Sequence, residues 1–208
     1  MTLVKICGIT NLEDALVSIE AGADALGFNF YKRSPRYIEP HEAKKIILQL
    51  PNSVLNVGVF VNEDAPEDVA LIADEAKLNA VQLHGEESPS YCDELKKYHV
   101  IKALRVSDEF KPEDVLKFNV EAILLDAYSR DAYGGIGKVF DWTIARETQK
   151  KFPKLFLAGG LTPDNVAQAI KQVEPYAVDA CSSLEITHGK KDATKVREFV
   201  KAIREMKG

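Results

Sequence analysis

Short apolar runs alternate with amphipathic stretches from one end of the chain to the other, and this alternation most narrows the folds open to it. The runs are Leu3–Cys7, Ala25–Phe30, Leu55–Val61, Ala80–His84, Val100–Val106, Ala122–Asp126, Leu155–Ala158 and Ala177–Cys181. Leu12–Glu20, Pro40–Leu50, Pro66–Ala76, Pro89–Tyr98, Pro112–Phe118, Trp142–Phe152, Pro163–Val173 and Ala193–Met206 read as helices. Parallel strands need crossover connections, usually helices, so the pattern predicts a parallel sheet covered by helices. A doubly wound open sheet and a closed (β/α)8 TIM barrel both satisfy it. Internal register favours the closed, eight-stranded barrel. Ala25, Ala80, Ala122 and Ala177 stand at the entrances of the even-numbered strands, and Ala25 lies as far from Ala122 as Ala80 does from Ala177. That spacing fits two similar half-barrels. No linker or low-complexity tract interrupts the chain, so residues 1–208 read as a single lean barrel domain with little room for added domains.

Several helix starts carry recognisable chemistry. Thr10-Asn11-Leu12-Glu13 has capping-box spacing, with Thr10 and Glu13 as the reciprocal pair. Ser88-Pro89 and Thr162-Pro163 place a capping hydroxyl before a proline, whose missing N–H costs nothing in a first turn. Val196, Phe199, Val200 and Ile203 form one apolar stripe on the last helix.

Charge and cysteine content remove several function classes. Lys plus Arg number 27 against 32 Asp plus Glu, a formal charge of -5, and no segment forms a basic face for nucleic acid. A few amides and cations can still hold a small anion inside an acidic protein. Cys7, Cys92 and Cys181 are odd in number and far apart, making neither a disulfide framework nor a zinc pattern. No stretch approaches the roughly 18 apolar residues of a membrane span, and the N-terminus, with Lys5 but no long apolar region or small-residue cleavage site, does not read as a signal peptide. The expectation is a soluble domain of a reducing, cytoplasmic compartment, with no membrane or nucleic-acid partner and with protein partners undetermined.

In such a barrel, functional groups sit at the C-terminal ends of the strands and in the loops after them. Cys7, His84 and Asp126 end strands one, four and six; Gly159-Gly160 follow strand seven, and Cys181-Ser182-Ser183 end strand eight. Period-two alternation puts Lys5 with Cys7, Gln82 with His84, and Asp179 with Cys181. If the polar residues face inward, Lys5 and Lys102 share the interior with Asp126 and Asp179, and opposite charges should be networked there. Gly159-Gly160 and Ser182-Ser183 can aim backbone N–H groups at a phosphate, with a helix start at Thr162 adding its positive end. Tyr133-Gly134-Gly135-Ile136-Gly137-Lys138 lacks nucleotide-loop spacing, because Val139 follows the lysine, and reads instead as a mobile loop over substrate. Cys92 and Cys181 read as apolar fillers. His41, His99 and His188 have no companions that suggest a site.

Taken in order, these blocks resemble one family. Lys5-Ile6-Cys7-Gly8-Ile9-Thr10, Gly27-Phe28-Asn29-Phe30, Ser34-Pro35-Arg36-Tyr37-Ile38, Gly58-Val59-Phe60-Val61-Asn62 and Val81-Gln82-Leu83-His84-Gly85 are similar to blocks of the phosphoribosylanthranilate isomerases of tryptophan biosynthesis. So are Leu124-Leu125-Asp126, the segment from Tyr133 to Trp142, Leu157-Ala158-Gly159-Gly160-Leu161 and Asn165-Val166. The resemblance implies the internal redox rearrangement of N-(5-phosphoribosyl)anthranilate to 1-(2-carboxyphenylamino)-1-deoxyribulose 5-phosphate, with neither metal nor organic cofactor. It implies Cys7 as general base, Asp126 as general acid and Arg36 against the anthranilate. Amides around Gly159, Gly160, Ser182 and Ser183 would cradle the phosphate. Gln82 and His84 either touch substrate or keep a satisfied internal histidine; Asp179 serves either the site's electrostatics or a structural network with Lys5.

The chain departs from the family pattern twice. Ser183 stands where glycine is usual, and would carry about 1–3 kcal/mol of strain if the turn needs positive φ. Ile136 replaces a small hydroxyl residue in the glycine-rich loop. The rival readings are another phosphate-dependent barrel, such as a metal-assisted pentose-phosphate epimerase, and a noncatalytic sugar-phosphate binder.

Overall fold

The computed structural model describes residues 1–127 and 141–206. In chain order the elements are β1 (Leu3–Cys7), α1 (Leu12–Ala21), β2 (Ala25–Asn29), α2 (Pro40–Ile47), β3 (Leu55–Phe60), α3 (Pro66–Ala76), β4 (Ala80–Leu83) and α4 (Pro89–Glu94). They continue with β5 (His99–Val106), β6 (Ala122–Ala127), α5 (Trp142–Lys151), β7 (Leu155–Leu157), α6 (Val166–Val173) and β8 (Ala177–Ala180). A hairpin of β9 (Glu185–Thr187) and β10 (Lys190–Lys191) precedes α7 (Ala193–Arg204). Strands β1 to β8 pair in sequence order, and β8 pairs in parallel with β1, closing the expected (β/α)8 barrel. No helix among the described residues is long and apolar enough to cross a membrane. The glycine-rich segment from Tyr133 to Lys138, with Ile136, lies outside the described residues.

The barrel interior follows the alternation read from the sequence. Ala25, Ala80, Ala122 and Ala177, one from each even strand, belong to one buried cluster with Val57, Ile101 and Phe156 of odd strands. Layers contributed by alternate strands are how such a barrel fills itself. Small residues in one layer leave the axis to larger ones in the next. The odd-strand residue that β1 presents at this level is Lys5, so the interior contains an ammonium group where another barrel would carry an aliphatic side chain. Opposite strand faces, including Val4, Leu26, Phe28 and Val81, pack beneath the helices in a separate cluster. The α7 stripe, Val196, Phe199, Val200 and Ile203, is buried there as expected.

Lys102 corrects the expected set of interior charges. Ile101 and Ala103 face the barrel axis, so Lys102 points outward into the layer between sheet and helices. There its ammonium donates to Glu87 at 2.6 Å, Gly85 O at 2.7 Å and Leu83 O at 3.2 Å. Glu87 also accepts from the amides of Asn62 and Gly85. The ion pair therefore ties the loops after β3 and β4 together from behind the sheet. It is not part of the mouth.

Local boundaries differ where short-range chemistry offers a better partner. Asn11, not Thr10, caps α1, accepting from Asp14 N–H, while the Thr10 hydroxyl donates to Gly189 O. Ser88 caps α4 as expected, but the helix stops at Glu94, and the Tyr98 hydroxyl is drawn to Asp74 on α3. Pro112–Lys117 is a 3₁₀ turn, not an α-helix. α6 starts at Val166 rather than Pro163, because Asn165 accepts from Thr162 N–H and donates to Gly160 O in a preceding turn. The β9–β10 hairpin was not anticipated.

Removing one member of the Lys102–Glu87 pair strands a buried charge. Lys102→Met should cost about 3–5 kcal/mol of unfolding free energy in a urea titration, and adding Glu87→Gln should recover part of it. A Lys102→Met cost below about 1 kcal/mol, typical of an exposed pair, would contradict this account.

Candidate active site

At the C-terminal end of the barrel a cavity of about 430 Å³ gathers residues from around the whole mouth. Cys7, Arg36, Gln82, His84, Asp126, Gly159, Gly160, Asp179, Ser182 and Ser183 all line it. These residues are far apart in sequence, and barrel closure alone brings them together.

Cys7 ends β1 between two close neighbours. On the β2 side its register partner is Gly27, where a Cβ would approach the Cys7 sulfur to 2.6 Å. The missing side chain is the space the thiol occupies. On the β8 side the pairing Ile6↔Ala180 leads to Cys181, which directly follows β8 and lines the same cavity. The neighbouring Cys181 thiol is the main influence holding Cys7 well below the ordinary thiol range. Burial opposes it, and the ammonium groups of Lys5 and Lys191 add to it. Cys181 is pushed the other way, well above the ordinary range, by the neighbouring Cys7 thiol and by burial. It is therefore a polar partner of Cys7, not the apolar filler its sequence context suggested.

Lys5 is fully buried and donates to Asp179 at 2.8 Å, directly across the β1–β8 register. Burial acts to lower the Lys5 pKa, but Asp179 and the Cys7 thiolate outweigh it and hold the ammonium charged. Asp179 is pushed up to about 7, chiefly by burial; Lys5 opposes the shift, and the Cys7 and Asp126 charges reinforce it. Asp179 is the structural partner of Lys5, and it also lines the cavity.

Asp126 faces the same space from β6. Its Oδ1 accepts from Ala127 N–H at 2.8 Å, and its Oδ2 lies 3.4 Å from His84 Nε2. Gln82 Nε2 lies 2.8 Å from His84 Nδ1; with the amide donating, the ring's proton is on Nε2, toward Asp126. Gly159, with φ +85, adopts a conformation that an L side chain resists, and a Cβ there would reach Ala127 N at 2.8 Å and Asp126 Oδ1 at 3.0 Å. Glycine after β7 thus gives Asp126 its room.

Arg36 is buried and binds Glu185 through two 2.8 Å bonds, from Nε and Nη2. Lys191 reaches the same carboxylate at 3.0 Å and Cys181 O at 3.3 Å. Burial acts to raise the Glu185 pKa, but Arg36 and Lys191 hold it below the ordinary carboxyl range. Glu185 and Lys191 escaped the sequence reading. Their available signal was Gly189, the positive-φ turn residue that folds β9 onto β10 and sets Lys191 opposite Glu185. The loops after β7 and β8, expected to take the phosphate, are linked by Ser183, whose hydroxyl donates to Leu161 O. Ser183 lies in a 3₁₀ turn, Ser182–Leu184, and is not among the positive-φ residues, so the glycine-to-serine departure carries no backbone strain. Among the described residues, no group of three or more His, Cys, Asp or Glu is arranged to hold a metal ion.

Comparison with known proteins places this geometry. A family model described as N-(5′-phosphoribosyl)anthranilate (PRA) isomerase matches residues 4–202. The chain belongs to this isomerase family. The N-(5′-phosphoribosyl)anthranilate isomerase of Trichlorobacter lovleyi is 54% identical over 205 residues, covering 99% of each chain. That of Thermotoga neapolitana is 52% identical over 202 residues, covering 97% of this chain and 98% of the relative. The crystal structure of phosphoribosyl anthranilate isomerase from Thermotoga maritima superposes with a TM-score of 0.91 at 47% identity, covering 99% of this chain and all of that one. A phosphoribosyl anthranilate isomerase in complex with reduced 1-(o-carboxyphenylamino)-1-deoxyribulose 5-phosphate superposes at 0.88, with 46% identity and 99% of this chain covered. The family thus meets a mouth that contains a thiol held below its ordinary range, a facing carboxyl group and a bidentate-held arginine.

The electrostatic account can be read directly from the thiol. Lys5→Met removes a positive charge that favours the Cys7 thiolate, so the midpoint for Cys7 alkylation by iodoacetamide, followed by peptide mass spectrometry, should move to higher pH. An unchanged midpoint would remove Lys5 from the control of this thiol.

Proposed function

We propose that this mouth converts N-(5-phosphoribosyl)anthranilate to 1-(2-carboxyphenylamino)-1-deoxyribulose 5-phosphate, with Asp126 as general acid and Cys7 as general base. The observation that carries the reading is the pairing of a thiol held well below its ordinary range with a carboxyl group across one cavity, in a chain of this family. Acid–base isomerisation needs one group ready to give a proton and another ready to take one.

In the proposed sequence, Asp126 in its acid form donates to the ribose ring oxygen. The lone pair of the anilino nitrogen forms a C=N bond as the ring C1′–O bond breaks, giving an open-chain iminium. The Cys7 thiolate then removes the C2′ proton. The C–H electrons form the C1′=C2′ bond, and the C=N electrons return to nitrogen, giving an enolamine. Ketonisation adds a proton at C1′ and removes the 2′-hydroxyl proton. Cys7 has gained a proton and Asp126 has lost one, so solvent exchange resets both groups.

The remaining residues suit substrate placement. Arg36 presents a cationic, planar group to the anthranilate side, held in orientation by Glu185. Gly159-Gly160 and Ser182-Ser183 also line the cavity, and their backbone N–H groups suit a phosphate dianion. His84, with Nε2 toward Asp126, orients the acid. Asp179 keeps Lys5 in place beneath Cys7 and lies within the cavity, where it can meet the sugar hydroxyls.

The deciding experiment follows loss of substrate fluorescence and formation of product by the purified protein in the presence of a chelator. Turnover should persist, while Cys7→Ala and Asp126→Asn should each lower the single-turnover rate by at least about 10²-fold, because each removes one proton-transfer group. Strict dependence on added metal would overturn the mechanism. A near-native rate in a folded variant would remove that residue from its role.

A further inference from the structure

Of the three cysteines, two meet in the cavity. Cys7 ends β1, and Cys181 directly follows β8. The strands are paired in parallel with Lys5 opposite Asp179 and Ile6 opposite Ala180, and Cys7 and Cys181 are each the next residue along from that last pair. Both line the cavity, and each thiol is the largest single influence on the ionisation of the other, as close neighbours are. Residues that follow directly on a paired position of two adjacent strands are close enough for the Cα separations of about 4.4–6.8 Å that disulfides span. Cys92 is different: it is completely buried on α4, away from the cavity, and burial is the main influence pushing its thiol up to about 11.

We infer that Cys7 and Cys181 form a peroxide-sensitive modification site, closing to a disulfide across the β1–β8 seam of the mouth. The oxidant is a hydroperoxide, with hydrogen peroxide as the simplest member. The Cys7 thiolate attacks one peroxide oxygen; an S–O bond forms and the O–O bond breaks. The leaving hydroxide takes a proton and departs as water. Cys7, oxidised by two electrons, is now a sulfenic acid. Cys181 sulfur then attacks the Cys7 sulfur, forming S–S and breaking S–O, and the departing hydroxide takes the Cys181 proton. Two thiols and one hydrogen peroxide give one disulfide and two waters.

The surroundings favour this course. Thiolate character decides which of the two cavity-lining cysteines is oxidised first, and it favours Cys7, whose thiol is pushed down while that of Cys181 is pushed up. Cys181 is already placed to resolve the sulfenic acid before a second oxidation. Lys191 Nζ lies 3.9 Å from the Cys181 sulfur, a positive charge that favours ionisation of the resolving thiol once the Cys7 thiolate has been consumed. The site's effect on turnover rests on the reading of Cys7 as general base; formation of the bond does not.

The test treats the whole, reduced protein with hydrogen peroxide and follows intact mass, cysteine-linked peptides and turnover in parallel. Expected is the loss of two hydrogens, a peptide pair joining Cys7 to Cys181, and a fall in turnover proportional to the bridged fraction, all reversed by dithiothreitol. Cys181→Ser should instead gain oxygen at Cys7. Cys92→Ser should still form the same bridge. A bridge that includes Cys92, or native protein that only gains oxygen at Cys7 as Cys181→Ser does, would overturn the inference. Full turnover in completely bridged protein would leave the site standing and overturn the assignment of Cys7 as base.

Discussion

An ammonium group enclosed by protein has to find negative charge within reach, and Lys5 finds it on the two sides of its own strand end. Asp179 is 2.8 Å away across the β8 seam, and Cys7 is two residues on along the same inward row. The site's electrostatics depend on this arrangement. Lys5 occupies an interior level otherwise filled by Val57, Ile101 and Phe156, so water cannot screen it and its charge is felt strongly at the thiol. The same burial pushes Asp179 up to about 7, leaving Lys5 to share its counter-charge with Cys7. One core position is thereby given to an ion pair, and the barrel's layering keeps that pair directly beneath the reacting groups.

A second charged chain approaches from outside the barrel. Arg36, Glu185 and Lys191 form a continuous run from the loop after β2 to the β9–β10 hairpin, ending at the Cys181 carbonyl. Glu185 fixes the guanidinium through two bonds, a geometry lysine could not reproduce. Lys191 contributes both to that carboxylate and to the positive field at Cys7. The anthranilate side and the thiol side of the proposed reaction therefore share supports, which couples substrate orientation to the state of the base.

Much of this was legible in the residues because alternation is a strong constraint. Eight repeats restricted the fold, the four even-strand alanines marked one interior layer, and the strand ends brought Cys7, His84 and Asp126 to one rim. Lys102 was not legible because a buried parallel strand is apolar on both faces; with Ile101 and Ala103 flanking it, periodicity could not distinguish the axis from the helix layer. Only pairing between neighbouring strands decides that. The hairpin was hidden by its size: three residues pair with two, too short for a periodic pattern, and its function lies in setting Lys191 opposite Glu185. Cys181 reads locally as a small residue at a strand end. Its contact with Cys7 exists only because the barrel closes.

The central claim is geometric: acid, base, aromatic clamp and phosphate cradle meet one substrate in one pose. A crystal structure of this chain with a reduced, unreactive product analogue measures it most directly. The account predicts the phosphate against the amides of Gly159-Gly160 and Ser182-Ser183, and the aromatic ring beside Arg36. The substrate-derived C2′ should face the Cys7 sulfur, with Asp126 directed at the oxygen released from the ribose ring. A phosphate seated beside Arg36 and Glu185, or a C2′ facing away from Cys7, would contradict it.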